Sequence, residues 1–291
     1  MTRWLDSPAA GLCFMMGAMA TFPFMDALSK LLAADYPPEQ ITWARNLVNV
    51  AVILPLVLMR EGLPSLSRSF GRWQIVRGLS FVLMSMLYIA GLRWMPLADG
   101  MAIVFMFPVI VTALSGVFLG EAVGIRRWSA VIIAFFGVCL IIRPGLGTLN
   151  AGVPFLLAAA FCAAIYTLLT RKLRGAAPSL VQALLPPLIG TCLLSLVVPF
   201  NWSSPTLTAA GIMFLTGLLA ATGHFFLILA YERAEASLAV PLTYTQLALS
   251  VLLGFLMFGD FPDLLTWAGI AIVAGTGIFI SLRERALQRR R

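Results

Sequence analysis

Long apolar runs, divided by short polar or proline-bearing junctions, make up nearly the whole chain. Ten runs read as helices, at 9–33, 38–59, 73–92, 97–119, 127–143, 150–170, 178–199, 207–230, 236–258 and 264–283. Most are about 20 residues long, roughly the length that spans a 30 Å hydrocarbon core. A segment in hydrocarbon must satisfy its own backbone, so such runs predict helices and not strands. Turn formers mark the junctions: Tyr36-Pro37-Pro38, Met95-Pro96, Arg143-Pro144-Gly145, Ser203-Ser204-Pro205 and Phe261-Pro262. No junction is long enough for a soluble domain. The longest, about 60–72, is basic and is expected on the membrane surface. The predicted fold class is an all-α membrane protein of ten transmembrane helices.

Composition agrees. Hydrophobic residues are 60% of the 291 and charged residues 11%, against about 25% charged in soluble domains. Such a chain cannot cover a water-facing surface. The net charge of +8 does not indicate nucleic acid, because Lys and Arg sit at the junctions. With the N-terminus in the cytoplasm, 16 of the 20 basic residues fall on the cytoplasmic side. Only Lys30, Arg45, Arg93 and Arg143 fall towards the other. That asymmetry places both termini inside, in a cell inner membrane. Arg3 and the following apolar run resemble a signal peptide, but the run reaches Leu32 and holds Asp26 and Lys30. It is read as a retained helix. Trp4, Trp43, Trp73, Trp94, Trp128, Trp202 and Trp267 all lie at predicted helix ends, where indoles anchor at the headgroups. Trp43, followed by polar residues, is the exception that could serve a site. Cys13, Cys139, Cys162 and Cys192 form no CxxC pair and are read as small buried hydrophobes. No metal site or cofactor is indicated.

The second half repeats the first. A shift of 139 residues lays Gly120-Glu121 on Gly259-Asp260 and Trp128 on Trp267. A shift of 141 lays Gly11 on Gly152 and Lys30 on Arg171. The repeats are 1–146 and 147–291, five helices each. An odd number of helices makes the second copy enter from the opposite side, giving the inverted repeat typical of secondary transporters. Pro108, Gly120-Glu121, Trp128 and Gly137-Val138, repeated by Gly259-Asp260, Trp267 and Gly275, carry a resemblance to the drug/metabolite transporter superfamily, in its ten-helix EamA-type branch. The resemblance implies a single integral unit, a monomer, that exports small metabolites. Within that branch the chain looks most like the exporters of aromatic and neutral amino acids.

A carrier of this kind binds its substrate near the midplane between the halves. Tyr244, Thr245 and Gln246 lie there on the ninth helix, just after Pro241, which frees backbone groups. The 139 shift relates Tyr244 and Gln246 to Phe105 and Phe107, beside Pro108. A polar and an aromatic wall at one place suit a zwitterion with an apolar side chain. Asn46, Asn49, Tyr88, Tyr166 and His224 are further deep polar candidates, each equally open to a role as interhelical glue. Asp26 and His224 are candidates for proton coupling. Asp26 and Lys30 are four apart on one face, so a structural pair between them is the plainer expectation. Asp99 suits the start of the fourth helix, and Glu121 and Asp260 read as turn elements.

Other functions find little support. One histidine excludes HExxH zinc chemistry, and neither a GxSxG elbow nor a P-loop is present, so an enzyme is not expected. A channel would differ by its unsaturable flux. Phosphorylated sugars rank low because a phosphate carrier needs deep Lys or Arg, and Lys30, Arg45, Arg93 and Arg143 all read as near the outer ends.

Overall fold

The computed structural model describes residues 8–119, 125–142, 150–173, 175–233 and 240–288. Among these the chain is helical, without strands. The helices are α1 (Pro8–Ala33), α2 (Pro38–Arg60), α3 (Gly62–Ser69), α4 (Arg72–Leu92), α5 (Leu97–Val104), α6 (Phe107–Leu119), α7 (Ile125–Ile142), α8 (Gly152–Lys172), α9 (Ser179–Val197), α10 (Leu207–Arg233), α11 (Thr245–Phe258) and α12 (Leu264–Gln288). Short 3₁₀ turns occupy Val198–Asn201 and Val240–Tyr244. Among the described residues, seven helical stretches are long and apolar enough to cross a bilayer, from Ala9–Ala33 to Leu207–Ala230. Three shorter apolar ones are Ile132–Ile142, Leu242–Phe258 and Leu264–Phe279. The molecule is a multi-pass membrane protein.

Three elements depart from the simple reading. The junction at 60–72 contains the short helix α3, with Leu63 and Arg68 exposed. The run at 97–119 is two helices, α5 and α6, separated by a turn at Phe105-Met106. Pro108 has no N–H to offer the Val104 carbonyl, which weakens the backbone ladder where α5 gives way to α6. Its own carbonyl accepts from the Thr112 hydroxyl at 2.9 Å. The run at 236–258, described from Val240, opens on the 3₁₀ turn holding Pro241, and α11 begins only at Thr245. Residues 234–239, Gly120-Glu121, Arg143-Pro144-Gly145, Arg3 and Trp4 lie outside the described residues.

The cysteines need correction. Cys13 and Cys192 are exposed and Cys139 and Cys162 half-buried, all free. In apolar helices facing lipid, nothing drives a small hydrophobe inward. Bulky side chains do the same: Ile132, Ile133, Phe135 and Phe136 of α7 are all exposed.

The main packing contacts run between the first half of the chain and the second. Helix α1 packs on α10 and α4 on α8; α2 packs on α9 and α7 on α12. Helix α10 also meets α2 as α4 meets α9, and α11 meets both α1 and α5. Glycines set the closest crossings. A Cβ on Gly269 of α12 would lie 2.6 Å from the Gly137 carbonyl oxygen of α7. One on Gly152 of α8 would lie 2.5 Å from that of Gly91 on α4. Without hydrophobic driving force in lipid, such backbone approach is what holds helices together.

Polar groups inside the bundle answer helix breaks. Pro186 cannot donate to the Gln182 carbonyl, four residues back on α9. Arg77 of α4, 1% exposed, takes that carbonyl instead, its Nη2 donating at 2.7 Å. Its Nη1 donates to Gln182 Oε1 at 3.0 Å. The Gly259-Asp260 motif closes α11. Gly259 is left-handed at φ +73°, and the Asp260 N–H reaches the Gly254 carbonyl at 3.1 Å, a Schellman-type end. Asp263 then caps α12, its Oδ1 accepting from the Thr266 N–H at 2.9 Å. Trp267 follows in the first turn of α12.

Gly269→Leu should therefore overpack the α7–α12 crossing, costing about 1–3 kcal/mol. Thermal unfolding in detergent should show a clear drop in midpoint. Gly211→Ala, where a Cβ meets nothing within 4 Å, should leave it unchanged.

Candidate functional site

The turn after α5 and the turn before α11 face each other. Phe105, in the turn after α5, and Tyr244, at the end of the 3₁₀ turn before α11, have ring centroids 5.3 Å apart. Phe107 adjoins Phe105 at 6.1 Å. Helix α11 starts at Thr245, whose hydroxyl donates back to the Leu242 carbonyl at 2.7 Å. The proton of that hydroxyl thus serves the turn, and its oxygen keeps acceptor capacity. Gly277 of α12 makes room for the Tyr244 hydroxyl, which a Cβ there would overlap.

Around this aromatic pair stand polar groups from other helices. Gln246 Nε2 approaches the Met101 sulfur of α5 at 3.9 Å, and the Tyr88 hydroxyl of α4 reaches the same sulfur at 3.9 Å. Tyr88 also donates to Asp26 Oδ2 at 3.5 Å. Asp26, on α1, is 4% exposed, with Tyr88, Gln246 and Arg45 as its polar neighbours. Tyr244, Gln246, Phe105, Phe107, Tyr88 and Asp26 thus form one neighbourhood between the halves.

Asn49 and His224 belong to a second group. Asn49 Nδ2 lies 3.4 Å from His224 Nδ1, which also meets the Ala220 carbonyl at 2.8 Å. Phe22 and Phe81 flank the imidazole at 5.3 and 6.0 Å. Phe81 leads to Tyr166 at 5.5 Å, and Arg77 sits 6.0 Å over the Tyr166 ring. Asn46 packs on Gly190 of α9, where a Cβ would meet its Nδ2 at 2.6 Å. Buried polar atoms of Thr42, Asn46 and Asn49 on α2, and of Gln74, Arg77 and Ser85 on α4, have no protein partner. Two helix faces thus present spare hydrogen-bonding capacity to the interior.

Two sequence expectations fail here. Lys30 does not pair with Asp26. Its Nζ is 2.9 Å from Asp260 Oδ2 and 4.5 Å above the Phe258 ring. Asp260 follows the left-handed Gly259, so the turn that ends α11 also delivers the carboxylate to α1. Arg45, read as lying near an outer end, is 5% exposed. A cation is therefore available inside the bundle, and the ranking of phosphorylated sugars needs a different basis. The signal was available: Thr42, Arg45, Asn46 and Asn49 recur at helical spacing and mark one polar stripe. Trp43 stands apart from both groups. Its Nε1 donates to Ser195 at 2.9 Å, and its ring meets Trp202 at 6.1 Å.

Beside Trp43 the α1–α2 turn is tied to the α9–α10 connection. Gln40 and Ser203 exchange two hydrogen bonds at 2.7 and 3.0 Å. Asn201 donates to Glu39 at 3.1 Å, and the Tyr36 hydroxyl accepts from the Thr206 N–H at 3.2 Å. With Lys30–Asp260, these contacts fasten one end of the bundle across the halves.

A duplicated helical bundle with a buried, incompletely satisfied polar centre and a fastened end is the architecture of a membrane carrier. Residues 9–143 and 150–283 each match the EamA-like transporter family, and the chain belongs to that family, within the drug/metabolite transporter superfamily. It is a transporter of small metabolites, not an enzyme. It is 28% identical to a riboflavin transporter of Vibrio cholerae, over 97% of this chain and 96% of that one. It is 24% identical to an S-adenosylmethionine uptake transporter of Rickettsia prowazekii (94% and 93%). It is 26% identical to a pseudopaline exporter of Pseudomonas aeruginosa (97% and 99%). A solved crystal structure shares the fold with a TM-score of 0.64 at 19% identity, over 96% of this chain and 99% of that one.

The Lys30–Asp260 pair should be separable from its surroundings by charge exchange. Lys30→Asp or Asp260→Lys alone should lower the unfolding midpoint, by about 1 kcal/mol in stability for a half-exposed pair. The double exchange should recover most of it. Additive losses would show that the two charges do not interact.

Proposed function

We propose that the chain is a secondary carrier of amino acids, aromatic and neutral ones foremost, exporting them from the cytoplasm by alternating access. The observation that carries this reading is the meeting of the turn after α5 with the turn before α11. Phe105 and Tyr244 supply an aromatic wall where Tyr88, Gln246 and Asp26 supply polar groups. Irregular backbone inside a membrane is tolerated where it lines a cavity or is buried in protein, and broken helices at a repeat interface build carrier sites.

In this reading the chain has ten transmembrane helices, in inverted repeats of residues 1–146 and 147–291. Both termini are cytoplasmic and the membrane is the inner one. The packing supports the symmetry. Exchanging each helix for its repeat mate turns α1–α10 into α8–α4 and α2–α10 into α9–α4, while α2–α9 and α7–α12 map onto themselves. Such a pair of copies can trade conformations, which gives alternating access its mechanical basis. The relatives' named substrates differ from one another, so the family fixes small metabolites and the site must fix the class.

The test is counterflow in proteoliposomes, with a panel of amino acids beside riboflavin and S-adenosylmethionine. Saturable amino-acid flux is expected, and its absence for every amino acid would sink the substrate claim. Gln246→Ala and Tyr244→Ala should each cut that flux roughly tenfold, equivalent to about 1.4 kcal/mol of binding. Full flux in both would remove these residues from the site. A pH gradient that drives flux in the unaltered protein but not in Asp26→Asn or His224→Gln would identify the coupling group. A reporter fused after Arg291 should be active on the cytoplasmic side only.

A further inference from the structure

Asp26 and Arg45 are opposite charges buried on neighbouring helices. Each lies seven residues from the end of its helix at the α1–α2 turn, roughly 10 Å at 1.5 Å per residue. The antiparallel pair therefore holds both at one level. They interact electrostatically yet form no contact ion pair. The Lys30–Asp260 bridge shows what such a contact looks like in this molecule.

Neither charge is well served. A guanidinium has five donors, and among the described residues Arg45 finds the Met25 sulfur, at 3.8 Å. Asp26 has the Tyr88 hydroxyl at 3.5 Å, the long limit of a hydrogen bond, and the Gln246 side chain as its other hydrogen-bonding neighbour. Tyr88 and Gln246 themselves rest on the Met101 sulfur, each at 3.9 Å. Thioether sulfur is a weak acceptor on a flexible chain. The polar groups of the site are thus held in position by partners that a ligand oxygen outcompetes. Buried charges left in this condition are costly, and a bound ion of opposite sign relieves the cost.

We infer that Arg45 and Asp26 are the specificity pair of this site, Arg45 taking a carboxylate and Asp26 an ammonium group of one zwitterionic substrate. The inference rests on the amino-acid reading above and adds the residues that enforce it. A carboxylate gives Arg45 a charge-assisted, forked partner in place of a sulfur. An ammonium does the same for Asp26. A zwitterion adds no net charge to the buried pair, so it completes both at once. An anion alone meets Arg45 but is repelled by Asp26, and a dianionic sugar phosphate is repelled more. An uncharged flat molecule leaves both charges unserved. The substrate side chain then falls to Phe105 and Tyr244.

The experiment is counterflow of radiolabelled phenylalanine in proteoliposomes holding the full chain. Competitors are phenylalanine amide, which lacks the carboxylate, 3-phenylpropionate, which lacks the amine, glucose 6-phosphate and riboflavin. In the unaltered protein each should compete at least roughly tenfold more weakly than phenylalanine. Arg45→Gln should weaken phenylalanine and abolish discrimination against the amide. Asp26→Asn should abolish discrimination against 3-phenylpropionate. Arg45→Lys, keeping the charge, should keep the preference for a carboxylate. This crossing of specificities is a readout that a merely structural pair would not move. Should Arg45→Gln fail to fold, Arg45→Lys and Asp26→Asn still decide: each must show its stated preference. Phenylalanine flux with unchanged discrimination in the variants overturns the inference while leaving the amino-acid reading intact. So does effective competition by glucose 6-phosphate. Riboflavin flux without flux of any amino acid overturns both.

Discussion

Hydrocarbon supplies no hydrogen bonds, and the rest of the structure follows from that constraint. A spanning helix that stays regular needs nothing from its neighbours, whereas one that is broken needs a protein or ligand partner for each freed group. This chain breaks where other helices can respond. Pro186 releases the Gln182 carbonyl, and Arg77 crosses from α4 to take it. Pro108 weakens the ladder where α5 gives way to α6, and Pro241 lies in the turn before α11. The two resulting irregular segments meet at Phe105 and Tyr244. The same constraint turns the usual arrangement inside out: phenylalanines face outward on α7 while Asp26, Arg45, Asn46 and Asn49 are buried.

A site assembled this way borrows from many elements. Asp26 comes from α1, Arg45 from α2, Tyr88 from α4, Met101 from α5 and Gln246 from α11. Because the principal helix contacts cross between the halves, the polar centre lies where the halves would have to move against each other. The bonds among Gln40, Ser203, Tyr36, Thr206, Lys30 and Asp260 gather at one end of the bundle. In an alternating carrier they are the contacts that must release for that end to open.

Much of the fold was legible in the sequence because membrane spans are long apolar runs and glycine–acid turns are local. The matched positions of Gly259-Asp260 and Trp267 follow from a helix end and a helix start that the same few residues make. The meeting of Tyr244 with Phe105 and Phe107 could be anticipated from prolines and the repeat, whereas the approach of Tyr88 could not. Pairings across helices were another matter. Lys30 stands four residues from Asp26, and local spacing favours that pair, but only the tertiary fold brings Asp260 within reach. Counting residues from a helix end gave Arg45 its depth but not its facing. The stripe of Thr42, Arg45, Asn46 and Asn49 holds the facing information.

The proposed place of a transported amino acid is between the turn after α5 and the turn before α11. Its most direct measure is protection of a cysteine placed at Phe105, in a chain whose four native cysteines are replaced by serine or alanine. A thiol reagent should label that cysteine, and increasing phenylalanine should slow labelling saturably, at concentrations matching those that saturate flux. Labelling unaffected by phenylalanine in a variant that still transports it would place the substrate elsewhere and contradict the account.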